Sequence, residues 1–213
     1  MKIYTFFTDS HKSLLDIFLK NFPYNENTEL NIKWFPQECK DGSYMSDGWV
    51  STMRRKVEYI LQSLNETPEG EWFVHSDCDI ILFEGWEDIL NKHKNSVDMM
   101  IQNDHTALCA GFFFCKSNVQ TKLLWNRVLR DLHKFEHDQV AMNYFIKQMP
   151  ELKVGVLPNS YFTYGLLGKE RWNGEDFIIP DISNLKMFHA NWTAGVKNKM
   201  ELMHKVLTDK YLL

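Results

Sequence analysis

Three side chains carry the chemistry this sequence offers most plainly: Asp77, Asp79 and His189. The run Trp72-Phe73-Val74-His75-Ser76 is apolar enough for a buried strand, and it delivers Asp77-Cys78-Asp79 at its end. Side chains alternate along extended backbone, so the two carboxylates fall on one side. The carboxyl edge of an α/β sheet is where ligands bind, and hard oxygen donors there suit Mg²⁺ or Mn²⁺. A second run, Phe188-His189-Ala190-Asn191-Trp192, brings an imidazole to the end of another apolar segment. Two carboxylates and one imidazole leave coordination positions open for the oxygens of a diphosphate. Each part also has a plainer reading. Asp-x-Asp occurs in solvated turns, and a histidine in an apolar run is commonly a hydrogen-bonded core residue.

The elements that must position these groups alternate through the first two-thirds of the chain. They predict an α/β fold with a largely parallel sheet flanked by helices. Expected strands cover 3–8, 30–35, 72–76, 97–102 and 108–115, and expected helices cover 13–21, 50–64, 86–93, 118–132 and 138–147. Pro36 stops the second strand, and the polar stretch Gln37 to Gly48 reads as a loop long enough to cover a bound ligand, or as an ordinary surface loop. Gly111 interrupts the strand 108–115, where a side chain would crowd a ligand or a neighbouring backbone. The last third changes character: short β-like runs at 154–157, 177–179 and 185–189 lie among turns, and a helix over 199–207 follows.

Composition narrows the function classes. A chain of 213 residues, 44% hydrophobic and 24% charged, fits one globular domain. Its formal net charge of -4 supplies no field for nucleic acid. The one basic cluster, Arg54-Arg55-Lys56, falls within a helical pattern and reads as a solvated face or as a phosphate contact. Four cysteines without CxxC spacing give no zinc signature and point to a reducing compartment. The apolar run at the N-terminus is too short for a signal peptide or a membrane span. The expectation is a cytoplasmic protein, or a soluble piece of something longer. GxxxxGK[ST] and GxGxxG are both missing, which argues against P-loop phosphotransferases and nicotinamide dehydrogenases.

The order of four motifs is more specific. Asp77-Cys78-Asp79, then Cys109-Ala110-Gly111, then His137-Asp138-Gln139, then His189-Ala190-Asn191 through Gly195-Val196-Lys197 resembles the nucleotide-diphospho-sugar transferases of GT-A fold. The likeness is to the retaining families with a C-terminal histidine ligand, and the chain is similar in size to small glycosyltransferase domains of large algal DNA viruses. The resemblance implies a mixed, mostly parallel Rossmann-like sheet in a single domain over 1–213. Residues 1–115 would bind the nucleotide sugar, and 116–213 would supply the acceptor side and the metal histidine. It implies a Mn²⁺- or Mg²⁺-dependent transfer from a UDP-sugar to a glycan or other hydroxyl acceptor, with retention.

Carried onto this sequence, Asp77, Asp79 and His189 would hold the metal, with Asp77 also near the ribose. Thr8 and Asp9 would cradle uracil and ribose, and Lys56 or Arg54 would approach the donor. Gly111 would line the donor site. Lys197, after Gly195, would grip the diphosphate, with Lys199 as the competing choice. Asp138 and Gln139 would sit near the anomeric carbon, although Asp138 is also a good helix N-cap. By its own place at a strand end, Asp104 would orient an acceptor or sugar hydroxyl, act as base if the reaction inverts, or simply begin a turn. Cys109 stands where the family often has Asn, which removes one expected sugar contact. Two other readings remain: a non-catalytic sugar-nucleotide or glycan-binding module, and a metal-dependent nucleotidyltransferase.

Overall fold

The computed structural model describes residues 1–39 and 47–211. In chain order the elements are β1 (Lys2–Phe7), α1 (Lys12–Lys20), β2 (Glu29–Trp34), α2 (Trp49–Glu66), β3 (Trp72–Ser76), β4 (Ile80–Leu82), α3 (Asp88–His93) and β5 (Met99–Asn103). They continue with β6 (Leu108–Lys116), α4 (Val119–Asp131), α5 (Asp138–Lys147), β7 (Val154–Val156), β8 (Tyr161–Thr163), β9 (Met187–His189) and α6 (Val196–Tyr211). Two sheets result. The larger has the order β2-β1-β3-β6-β5-β7 and the smaller β4-β9-β8. In the larger sheet β6 runs antiparallel to both its neighbours, and the other pairings are parallel.

The central strands of the large sheet are buried on both faces, so they are mostly apolar rather than alternating with polar residues. Along β6, Phe112 and Phe114 face one core, where α1, α6 and the small sheet pack. Phe113 and Cys115 face the other, packed by α2, α4 and α5. Helix α2 presents Val57, Ile60 and Leu64 to that second core, a 3.6-residue spacing. Asn118 starts α4 with a capping box: its side chain accepts from the Thr121 N–H while the Thr121 hydroxyl accepts from Asn118 N–H.

Expectations and structure differ mainly in the last third. Residues 177–179 form no strand: Phe177 and Ile179 are buried while Ile178 is exposed, and no strand pairs with them. β8 lay outside the sequence expectation, since three residues give too short a pattern to read; its pairing with β9 creates it. α6 starts at Val196 and runs to Tyr211, a longer helix than 199–207. Of the loop expected at 37–48 as a cover for the ligand, 40–46 lie outside the described residues. Among the described residues no helix is long and apolar enough to cross a membrane, and the four cysteines are buried and free of disulfides.

Candidate active site

A cleft of about 450 Å³ opens where β1, β3 and β5 end. The local chain path explains its floor. Past β3, the Asp77 N–H still donates to the Gly111 carbonyl at 2.7 Å, so Asp77 stays in register with β6. The chain then enters β4, which pairs antiparallel with β9 and sets Ile80 opposite His189. Ala190 N–H donates to the Asp79 carbonyl at 3.0 Å, which extends that pairing by one step. Strand register thereby puts His189 Nε2 3.2 Å from Asp79 Oδ1. One donor atom each of Asp77, Asp79 and His189 lies within 4.8 Å of the others.

Cations already flank these carboxylates. Lys199 Nζ lies 2.5 Å from Asp79 Oδ2. Lys56, only 3% exposed, places Nζ 3.0 Å from Asp77 and 3.4 Å from Asp138 Oδ2. His75, buried in β3, lies with Nε2 3.4 Å from Asp77 Oδ1. Burial raises the Asp79 carboxyl, but Lys199 and then His189 outweigh it and hold its pKa well below the usual range. Asp77 is lowered the same way, chiefly by Lys56 against the burial. For Asp138, Lys56 outweighs burial and brings the pKa to about 2. Burial works against a charged His189, yet Asp79 beside it pushes the pKa up to about 10. The donor set fits a divalent cation: a buried carboxylate, Asp79, and a half-buried one, Asp77, both held ionised, and one imidazole that can bind by giving up its proton.

That last shift has a signed consequence for the metal-free protein. A ring with a pKa near 10, against its usual 6.5, contributes stability that is complete below pH 6.5 and disappears as pH rises through 10. With chelator present, the unsubstituted protein should therefore lose stability relative to His189→Asn over that window. Thermal melts of both proteins across it check this, and parallel curves would contradict it.

The other sequence candidates divide. Thr8, Lys56, Asp77, Gly111, Asp138, Gln139, Asp104 and Gly195 line the cleft with the metal candidates. Asp9, Arg54 and Lys197 do not: Asp9 accepts from Trp34 Nε1 at 2.9 Å, Arg54 faces Glu58 at 3.9 Å, and Lys197 is exposed beside Glu201 at 3.7 Å. Lys199 is the lysine of that pair that points inward. Its neighbour Gly195 takes φ +79°, a left-handed conformation that suits glycine, just before α6 begins. Asp104 is held on all sides. Its Oδ1 accepts from Asn191 Nδ2 at 2.9 Å and from Trp192 Nε1, and its Oδ2 accepts from Gln139 Nε2 at 3.0 Å. Gln139 Oε1 in turn accepts from the Ala110 N–H at 3.2 Å.

Sequence reasoning missed His11, Arg171 and Gln102. His11 and Arg171 line the cleft from segments that carried no motif. Gln102 is fully buried in β5. A lone amide in an apolar strand was its only signal, since a buried polar group requires partners.

The comparisons with known proteins agree with this architecture. The family model for nucleotide-diphospho-sugar transferases matches residues 23–203. A UDP-galactose:fucoside alpha-3-galactosyltransferase of Dictyostelium discoideum is 25% identical over 133 residues, 58% of this chain and 20% of that protein. The chain thus spans about a fifth of the length of this curated relative. Among solved structures, the glycosyltransferase GlyE of Streptococcus pneumoniae is similar with a TM-score of 0.59 at 11% identity, over 99% of this chain and 62% of its own. A glycosyltransferase involved in glycosylation of the major capsid of PBCV-1 gives 0.58 at 13% identity, over 96% of this chain and 98% of its own. The family model covers most of the sequence, the motifs fall in one cleft, and the sheet order supports both. The chain belongs to the nucleotide-diphospho-sugar transferase family of glycosyltransferases, and its fold is that of the GT-A members.

Proposed function

We propose that this chain transfers a sugar from a UDP-sugar to a hydroxyl of a glycan acceptor, using a divalent metal and retaining the anomeric configuration. The observation that carries the reading is the Asp77, Asp79 and His189 cluster, flanked by Lys199 at the start of α6 and by Lys56. When bound, Mn²⁺ or Mg²⁺ supplies Lewis-acid stabilisation of the departing diphosphate. The chain's own groups do the rest. Lys199 exchanges its carboxylate partner for a phosphate oxygen, and the first N–H groups of α6 face the same anion. Thr8 at the end of β1 borders the nucleoside side of the cleft. Asp138 and Gln139, at the start of α5, stand beside the donor sugar. Retention is supported by the state of Asp104: with three donors already on its two oxygens, it is poorly placed to take an acceptor's proton as an inverting base would.

Calorimetric titration of UDP with Mn²⁺, and then with chelator, tests the reading. Binding should require the metal, and Asp79→Ala and His189→Ala should each weaken it by more than about 100-fold, beyond what loss of a mere outer partner does. Unchanged affinity in both variants would remove the metal site. UDP release from a UDP-sugar separates turnover from a binding module.

A further inference from the structure

Gln102 has no exposed surface, and its side chain joins three strands. Its Nε2 lies 3.5 Å from the carbonyl oxygens of Tyr161 and Phe162, both in β8. Its Oε1 lies 2.8 Å from His189 Nδ1 on β9. Carbonyl oxygens only accept, so the NH₂ end of the amide must face them, and Oε1 must face the ring. Oε1 in turn only accepts, so Nδ1 must carry the proton. The other nitrogen, Nε2, is then the one that becomes a free lone pair, and it points at Asp79. Cys109 Sγ sits 3.7 Å from the same Nδ1, but a thiol sulfur is a weak acceptor.

We propose that Gln102 is the positioning residue of the metal centre: it selects the Nδ1–H tautomer of His189 and fixes the plane in which Nε2 meets the cation. The assignment rests on the metal reading of the site above. It explains why an amide is placed in a strand that otherwise buries Met99, Met100 and Ile101. An isolated buried amide costs stability unless both its ends are bonded, and here both ends are bonded in the one way that frees Nε2. Gln102 does not line the cleft, so its effect there runs through the imidazole.

Two substitutions separate this role from simple bridging between the sheets. Gln102→Met removes the acceptor at Nδ1, whereas Gln102→Glu keeps an oxygen there and alters the contacts to β8. Mn²⁺ uptake in the presence of UDP, followed by electron paramagnetic resonance of free and bound ion, should weaken by about 10–100-fold in Gln102→Met. It should stay close to the unsubstituted value in Gln102→Glu. Equal losses in both variants would assign Gln102 to bridging and overturn the proposal, as would full Mn²⁺ affinity in Gln102→Met. No Mn²⁺ uptake by the unsubstituted chain would overturn the metal reading and the Gln102 role together. A measurement that needs no variant is ¹⁵N chemical shift of the His189 ring with Mg²⁺ and UDP bound. A protonated Nδ1 is the expected result, and a protonated Nε2 contradicts it.

Discussion

Lys56→Met should destabilise the protein by about 3–5 kcal/mol, because it strips the cation from two carboxylates at once. Nζ lies 3.0 Å from Asp77 and 3.4 Å from Asp138, and both Lys56 and Asp138 are 3% exposed. Asp138 Oδ2 has no hydrogen bond of its own among the described residues, so this ammonium is what compensates its charge. Methionine fills a similar volume and leaves an uncompensated buried charge, which costs far more than the pair is worth as a pair. Asp138, now held at about 2, would move up in pKa towards protonation. Urea unfolding of Lys56→Met and of Lys56→Met/Asp138→Asn measures this. The double variant should recover a large part of the loss, since the charge left behind is gone. A loss under about 1 kcal/mol in the single variant would place the pair among weak, solvated ion pairs instead.

Gly111→Ala should abolish metal-dependent UDP binding while the protein still folds. A methyl group there would stand 2.4 Å from His189 Cε1 and 2.7 Å from Asp77 Oδ2, well inside contact distance. Neither neighbour can step aside freely. Asp79 and Gln102 hold the imidazole between them, and Lys56 holds the Asp77 carboxylate. The clash is relieved only by moving two of the three candidate metal donors, so affinity should fall before the fold does. A site this crowded tolerates little displacement: overpacking a tight interior costs about 1–3 kcal/mol. Calorimetry with Mn²⁺ and UDP, beside a thermal melt, reads the two effects separately. Unchanged binding would mean that the donor atoms adopt another arrangement when the ion is present.

Much of this was legible in the sequence because it is local. Strand 72–76 and helix 138–147 follow from apolar period and boundary residues, and both match the structure at their limits. The Asp77 and Asp79 pair and the His189 motif could be found because they sit at the ends of such runs. What stayed hidden depends on contacts distant in sequence. β8 exists through its pairing with β9, and the choice between Lys197 and Lys199 turns on which face of α6 meets the cleft. The locked state of Asp104 needs Asn191, Trp192 and Gln139 brought together from two other segments. No spacing within one segment records such convergence.

The pairing of β4 with β9 has a consequence in time as well as in space. Before β9 docks, Asp77 and Asp79 have neither His189 nor Lys199 beside them, and their flanking cation is Lys56 alone, with His75 next to Asp77. Closing that long loop is slow compared with forming the local hairpin of β5 and β6. The cluster is therefore complete only once the final third of the chain has docked.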